Sequence, residues 1–351
     1  MKPTRTKSSL SAFFEAIETA MPSIADEPGY FKHNPYAALR LAAWIKRYQA
    51  LCDAHMEKHG SLTFTVFDLE TTGLESAHKF EVGLAGVTDV AGLKIVDVPV
   101  DHDGMAPDPA LWQAAPPRLL FVTPSHQYPL GSVLSLERRL DFLQRVQAAG
   151  GWLIEDDYDS DFNHAQPGAR PLPAIQGLRP DAPVVYVGTF SKLLYPGLRI
   201  AYLVVPRWAV ADIGEAIHNL YRGGQAVEQR ALARFLDGGL LTRHARRMAP
   251  VYRERQAVLR AELRARFGDE CAILGGHAGL HLVLRLPDGM PDTRLVEAAL
   301  AQGVVVRALS DYYASQDTGT AGNGLVLGYG MAESSQIGGL VKRLAIGISN
   351  A

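Results

Sequence analysis

The stretch "APVVYVGTFSKLLYPGLRIAYLVVP", residues 182–206, joins two apolar runs of β-forming residues through a short polar segment. Both runs are apolar at successive positions, which is typical of strands that are covered on both faces. The segment between them holds the only lysine of the stretch, Lys192, with Thr189 and Ser191 beside it and Arg199 seven residues later. The stretch therefore predicts strands of a central sheet and raises the question of what a lysine does where a buried strand ends.

The same pattern occurs twice more upstream. Residues 118–125 and 152–160 are apolar runs that end in polar residues, and residues 134–151 between them carry apolar side chains at helical spacing. Strands that alternate with a helix or a long connection favour βαβ units and a parallel sheet. We therefore predict an α/β fold with a mainly parallel sheet flanked by helices.

The C-terminal part of the chain has a different pattern. Residues 226–268 form a long helical stretch, and its many arginines fit a solvated helix face better than a nucleic-acid patch. Three strand-like runs and a closing helix follow, which predicts a smaller α+β domain. The predicted organisation is a helical segment at 1–60, a strand–turn segment at 61–92, a large domain at 93–245 and a small domain at 246–351.

Composition limits the class of protein. The 351 residues are 47% hydrophobic and 21% charged, with a net charge of −2, so nothing draws the chain as a whole to nucleic acid or membranes. It has two cysteines and no apolar stretch of about 18 residues. These features predict a cytoplasmic protein without a disulfide framework or a membrane span.

Polar side chains follow three of the predicted strands at the point where each strand ends. In a parallel sheet these ends meet at the edge where ligands of α/β proteins bind. Taken singly, the features also fit a solvated lysine, an acidic surface loop or a turn. Their order and common edge favour one cleft, formed by Gln127, Asp156, Tyr158, Thr189 and Lys192.

The chemistry of these groups suits pyridoxal 5′-phosphate. A lysine amine in a partly dry cleft is neutral often enough to form a Schiff base with an aldehyde, so Lys192 would carry the cofactor as an internal aldimine. Asp156 would keep the pyridine nitrogen protonated, and Tyr158 would hydrogen-bond the ring hydroxyl. Hydroxyl and guanidinium groups suit the phosphate, which would lie against Thr189, Ser191 and Arg199.

The motifs that carry these residues occur in order over about 93–351: "VPVD", "TPSHQYPLG", "EDDYDSDF", "GTFSKLLYPGLRIAY" and "LVLGYG". Over that range the chain resembles the aminotransferase-like domain of MocR-type regulators of the GntR family, a PLP-dependent unit of fold type I. The resemblance implies that Lys192 carries the cofactor and that Gln127 or His126 lines its ring. It also implies a homodimer that takes an amino acid or an amine as ligand.

Two functions stay open. One is a PLP-dependent aminotransferase, and the other is a non-catalytic domain that senses the cofactor or an amino acid. The sequence has no basic recognition-helix pattern of a winged helix, so we expect no direct nucleic-acid binding. It also departs from the family in two features. The only candidate for the tyrosine that would stack on the ring is Tyr30, which lies far upstream in the sequence. The stretch "LVLGYG" lacks an arginine for a substrate carboxylate, although Arg307 lies upstream.

The segment at 62–88 resembles a different family. "FTVFDLETTGL" is similar to the first motif of DEDD-type 3′–5′ exonucleases, in which Asp68 and Glu70 would bind a divalent metal on one face of a strand. That chemistry needs further acidic ligands and a histidine, and from residue 93 the chain follows another pattern. We therefore expect no metal site and no nuclease activity, and interpret the segment as a strand and turn that fill a place in a sheet.

Overall fold

The computed structural model describes residues 63–67 (as backbone only), 96–114, 116–162, 172–194, 196–221, 224–269, 271–287, 291–313 and 322–350. Its strands are β1 (Thr63–Phe67), β2 (Val100–Asp101), β3 (Gly104–Met105), β4 (Leu119–Val122), β5 (Trp152–Asp157), β6 (Val184–Thr189), β7 (Ala201–Val205), β8 (Ile273–Leu274), β9 (His281–Arg285), β10 (Arg307–Ala308) and β11 (Gly324–Gly328). Its helices are α1 (Pro109–Ala114), α2 (Leu136–Ala148), α3 (Ile175–Leu178), α4 (Val210–Tyr221), α5 (Ala226–Asp237), α6 (Leu240–Phe267), α7 (Asp292–Ala301) and α8 (Ser334–Ser349).

A five-stranded sheet in the order β1-β7-β6-β5-β4 forms the first layer. Strands β4, β5 and β6 are parallel to one another, as the sequence predicts. The predicted fold class is confirmed: the chain is α/β, with a mixed, mostly parallel central sheet and helices packed against it. Strand β7 differs, because it pairs with β6 in the antiparallel sense. Only residues 190–200 connect β6 to β7, which is too short for the helical crossover that joins parallel strands.

Strand β1 belongs to the exonuclease-like segment. It pairs antiparallel with β7, from Thr63 opposite Val205 to Phe67 opposite Ala201, and so forms an edge of the sheet. This position agrees with the interpretation of the segment as a strand that fills a place in a sheet. Asp68, Glu70 and Tyr30 lie outside the described residues, so the expectations about them stay predictions.

Both faces of the sheet are covered, which explains why its strands are apolar at successive positions. On one face Leu153 and Val184 pack with Phe142 of α2, and on the other Val187 packs with Ile213 of α4. Helix α2 begins where the Ser135 hydroxyl accepts a hydrogen bond from the backbone N–H of Arg138 at 3.4 Å. The helices thus hold the three parallel strands in register and bring their carboxyl ends to one edge.

A second sheet, in the order β10-β11-β9-β8, is antiparallel throughout. It packs against α6, α7 and α8 through a core that includes Leu263, Leu282 and Leu344. The predicted domain boundary at 245/246 falls within α6, and the division of the chain into domains stays a prediction. Among the helices described, none is long and apolar enough to span a membrane.

Candidate active site

The loops after β4, β5 and β6 meet at one edge of the first sheet. Strand pairing places Asp156 opposite Val187 and Asp157 opposite Gly188, two and one positions before Thr189. The loop after β4 reaches the same place, because the His126 ring lies 6.0 Å from the Tyr158 ring, centroid to centroid. The parallel order of the strands therefore produces the common edge that the sequence predicts.

Asp156 is half-buried and has no hydrogen-bond partner among the residues that the structure describes. Burial, together with the nearby carboxylates of Asp157 and Asp159, raises the pKa of Asp156 to about 7. Asp157 itself accepts hydrogen bonds from the Tyr186 hydroxyl at 2.8 Å and the Ser160 hydroxyl at 2.6 Å. Asp156 is thus a carboxylate that a cation in the site would stabilise.

The turn after β6 carries the lysine and two hydroxyls. The Thr189 hydroxyl accepts a hydrogen bond from the backbone N–H of Ser191 at 3.1 Å. The Ser191 hydroxyl is buried and has no partner within the described part of the chain. Such a group is normally hydrogen-bonded, and a missing partner points to a bound ion, water or ligand.

Lys192 is exposed in the single chain, whereas its predicted chemistry calls for a partly dry cleft. The turn that carries it lies at the open edge of the sheet, where the described residues leave it uncovered. Burial and, as a minor cause, the Lys192 charge lower the pKa of His281 on β9. Arg199, close to the start of β7, has a φ of 54°, an uncommon backbone conformation for a residue other than glycine that is concentrated at functional sites.

Tyr158 belongs to a buried cluster with His126 and Asp159. The Nδ1 atom of His126 lies 3.0 Å from both carboxylate oxygens of Asp159 and 3.1 Å from the Tyr158 hydroxyl. The His126 and Asp159 side chains are only 1% and 3% exposed. Burial and the Asp159 charge raise the pKa of Tyr158, which therefore stays a neutral phenol.

Residues of the second sheet close one side of this cluster. The His281 ring lies 4.9 Å from the rings of both His126 and Tyr128, and its Nε2–H donates to the Pro129 carbonyl at 2.9 Å. Tyr128 also bonds to Tyr312, with 3.1 Å between the hydroxyl oxygens. Burial is the main cause that lowers the pKa of His281 to about 4.

Both ends of the Gln127 side-chain amide form hydrogen bonds within the turn that contains Gln127. Its Nε2 donates to the Tyr128 carbonyl at 2.6 Å, and its Oε1 accepts from the backbone N–H of Leu130 at 3.1 Å. His126, the other residue expected to line a ring, faces Tyr158. The ring-lining role of either residue stays a prediction.

The residue types of one group would also suit a metal ion. His126, Asp159 and His281 each offer a ligand atom, and these atoms lie within 4.8 Å of one another. In this structure His126 and Asp159 are hydrogen-bonded to each other, and His281 donates to a carbonyl. Hydrogen bonds therefore occupy Nδ1 of His126, both Asp159 oxygens and Nε2 of His281 without an ion.

Comparison with known protein families decides the class. Residues 87–319 match the family model for aminotransferase class I and II. The chain belongs to the aminotransferase class I and II family. Membership in this family agrees with the mostly parallel sheet and with the three loops that converge at its edge, and it supports pyridoxal 5′-phosphate as the cofactor.

Curated relatives of this aminotransferase-family chain include regulators and an enzyme. It is 40% identical over 220 residues to the probable rhizopine catabolism regulatory protein MocR of Rhizobium meliloti, covering 63% of this chain and 44% of the relative. It is 28% identical over 324 residues to the 2-aminoadipate transaminase of Thermus thermophilus, covering 90% of this chain and 80% of the relative. The chain spans about half the length of the regulators that it matches.

A solved structure confirms the aminotransferase fold. The α-aminoadipate aminotransferase of Thermus thermophilus, complexed with N-(5′-phosphopyridoxyl)-L-leucine, superposes with a TM-score of 0.71 at 23% identity. The match covers 96% of this chain and 88% of the other.

The described residues of this aminotransferase-family chain fit pyridoxal 5′-phosphate. The unpaired Asp156 carboxylate suits a protonated ring nitrogen, and the buried Ser191 hydroxyl without a partner suits a phosphate oxygen. Tyr158 presents a neutral phenol next to His126. The Asp156 carboxylate and the Ser191 hydroxyl thus lack partners among the described residues, and the cofactor has groups that can pair with both.

Sequence reasoning missed three residues of the cluster: Tyr128, Asp159 and His281. Tyr128 and Asp159 stand next to residues that the motifs did identify. His281 carries a detectable signal, since it is a histidine within the apolar run "AGLHLVLRLP". A buried histidine needs a partner, and here the partner is the Pro129 carbonyl, 152 positions away in the chain.

Proposed function

We propose that this protein binds pyridoxal 5′-phosphate through Lys192 and acts on an amino acid or amine as a PLP-dependent aminotransferase. The observation that carries the proposal is the unpaired Asp156 carboxylate, with its pKa raised to about 7 by burial and by Asp157 and Asp159, at the same sheet edge as Lys192. When bound, the cofactor supplies an electron sink for the bond that breaks at the substrate Cα.

Each residue of the chain has its own task in this proposal. Lys192 holds the cofactor through its Nζ atom and, once released from it, moves the proton at the substrate Cα. Asp156 keeps the ring nitrogen protonated, and Tyr158 hydrogen-bonds the ring oxygen. The phosphate is bound by the groups of the turn after β6, Thr189, Ser191 and Arg199.

Arg307 is our candidate for binding the substrate carboxylate. It is half-buried on β10, and the described residues offer it no ion-pair or hydrogen-bond partner. Its charge acts on the Tyr128 hydroxyl, which is hydrogen-bonded to Tyr312. Since a carboxylate matches the guanidinium fork, Arg307 favours an amino acid over a simple amine.

A second candidate function is sensing without turnover. The 40% identity to a protein whose name marks it as a regulator favours this alternative. In that case the site would bind the cofactor and an amino acid, and the signal would pass to a partner chain. The residues that bind the cofactor would be the same in both functions.

We also propose a homodimer in the cytoplasm. The exposure of Lys192 in the single chain supports a second chain that covers the site, because Schiff-base chemistry needs an amine with limited access to water. The low cysteine content supports a reducing compartment.

The experiment supplies amino acids one at a time to the purified protein loaded with cofactor. Sustained keto-acid formation supports the enzyme, whereas a change in visible absorbance without product supports the sensor. A protein that takes up no cofactor would overturn both.

A further inference from the structure

The buried contact between Asp159 and His126 decides where the proton of the imidazole lies. Nδ1 of His126 faces two carboxylate oxygens at 3.0 Å, and both side chains are almost fully excluded from solvent. A bare nitrogen lone pair would be repelled by the carboxylate, so Nδ1 carries the proton. The other nitrogen, Nε2, is buried without a partner among the described residues, so a proton there would be an unpaired buried N–H.

This proton position determines the direction of the next hydrogen bond. The Tyr158 hydroxyl oxygen lies 3.1 Å from the same Nδ1 atom. A protonated Nδ1 has no lone pair to accept the phenolic hydrogen, so the Tyr158 oxygen can only share, as an acceptor, the N–H that also faces Asp159. The phenolic proton of Tyr158 then points elsewhere, and the described residues provide no acceptor for it.

The neighbours of the pair keep it in this state. Several titratable groups lie around Tyr158 and His126: Asp156 and Asp157 from the end of β5, Tyr128 from the loop after β4 and His281 from β9, on which the charge of Lys192 from the turn after β6 also acts. His281 already donates to the Pro129 carbonyl and, with its pKa lowered by burial to about 4, stays neutral. It therefore does not compete with His126 for Asp159.

We infer that Asp159 and His126 are a positioning pair that makes Tyr158 a hydrogen-bond donor to the bound ligand. Asp159 holds the proton on Nδ1, the protonated Nδ1 cannot accept the phenolic hydrogen of Tyr158, and the phenolic O–H is therefore directed at the ring oxygen of the cofactor. The inference rests on the proposed function for the identity of the ligand, but the state of the pair is a property of this chain alone.

The first test needs no cofactor. The full chain is labelled with ¹⁵N-histidine, and the His126 signals are assigned from their loss in His126→Gln. We expect the wild-type His126 proton on Nδ1 and its displacement in Asp159→Asn. A wild-type proton on Nε2 would overturn the inference, whether or not the protein binds a cofactor.

The second test titrates the visible absorbance of the bound cofactor with pH. A donor to the ring oxygen stabilises its anionic form, so loss of the donor raises the midpoint of the titration. We expect Asp159→Asn to raise the midpoint by about one pH unit, a tenfold change in the acid constant, as expected for the loss of a hydrogen bond to a charged group. Tyr158→Phe should have a similar effect.

A double substitution separates positioning from a general structural effect. In the Tyr158→Phe background, Asp159→Asn should add almost nothing, because the group that it positions is gone. Asp161→Asn removes a carboxylate from the same loop and should leave the midpoint unchanged. An additive double variant, or an unshifted midpoint in Asp159→Asn, would contradict the inference. If the wild type takes up no cofactor, the proposed function fails and the histidine spectrum still decides the inference.

Discussion

Gly279 lies directly against the Asp159 carboxylate, so close that a β-carbon at position 279 would overlap Asp159 Oδ2 and the His126 ring. Its backbone N–H also donates to the Phe162 carbonyl at 3.0 Å. With a φ of +77°, the position suits glycine for a second reason. The loop before β9 thus covers the buried Asp159–His126 pair, and only glycine permits the backbone at position 279 to approach this pair so closely.

Gly279→Ala is expected to lower the free energy of unfolding by about 2–4 kcal/mol, because it combines overlap at a buried hydrogen-bonded pair with an unfavourable backbone conformation. Chemical denaturation measures the loss. Gly239→Ala is the matched control, since the backbone there is left-handed, with φ +65° and ψ 14°, but nothing lies within 4 Å of the added carbon. The control should lose about 1 kcal/mol. Equal losses in the two variants would show that the contact with Asp159 contributes nothing.

The raised pKa of Asp156 predicts that the stability of the cofactor-free protein depends on pH. Burial and two neighbouring carboxylates raise the folded-state pKa of Asp156 from 3.8 to about 7. The folded state therefore binds this proton more tightly than the unfolded state, and stability falls as the pH rises from about 4 to about 7.

Asp156→Asn should remove this dependence. We expect the variant to be more stable than the wild type by about 1–2 kcal/mol at pH 8 and nearly as stable as the wild type at pH 4. The expected gain is smaller than the full pKa shift implies because the Asp156 side chain is partly solvated. Denaturation at both pH values measures the effect, and Asp269→Asn, at an exposed position, serves as the control. A larger gain at pH 4 than at pH 8 would refute the assignment.

The convergence of Asp156, Tyr158 and Thr189 could be predicted from sequence because it depends only on strand order and direction. Buried parallel strands have a clear apolar signature, and their ends share an edge. The direction of β7 could not be read in the same way. It depends on the turn at 190–200, and an apolar run has the same composition in either direction.

The inner arrangement of the site depends on contacts that a linear pattern does not contain. Whether Gln127 or Tyr128 faces the cluster depends on the backbone of one turn, where Gln127 bonds to its own neighbours. His281 reaches Pro129 from a separate sheet, 152 positions further along the chain. Such long-range pairs follow from the packing of the two sheets.

Arg307 gives a prediction about ligand class. If Arg307 binds a carboxylate, Arg307→Ala should weaken the affinity for L-norleucine about tenfold and leave the affinity for pentylamine unchanged. A tenfold loss is expected when an ion pair with a charged group is removed. The two ligands differ only in the carboxylate. Visible absorbance of the loaded protein measures both affinities.

Arg285→Ala is the control for Arg307, because Arg285 is an exposed arginine on β9 of the same sheet. It should change neither affinity. Equal weakening of norleucine and pentylamine in Arg307→Ala would indicate a general disturbance of the site and would exclude the proposed role.

The exonuclease-like segment gives a prediction of inactivity. Strand β1 occupies an edge of the aminotransferase sheet, and the chemistry of Asp68 and Glu70 would require further ligands. We expect no nucleotide release from labelled single-stranded DNA with Mn²⁺, and unchanged cofactor uptake in Asp68→Asn with Glu70→Gln. Release that disappears in the double variant would make this segment a functional centre.

The central claim is that Lys192 carries the cofactor, and the most direct measurement is the mass of the modified peptide. The purified protein is incubated with pyridoxal 5′-phosphate, reduced with borohydride, digested and analysed by mass spectrometry, with Lys192→Ala treated in parallel. We predict one stoichiometric phosphopyridoxyl group on Lys192 and none in the variant. A wild-type protein without the modification, or with the same modification in Lys192→Ala, would contradict the account.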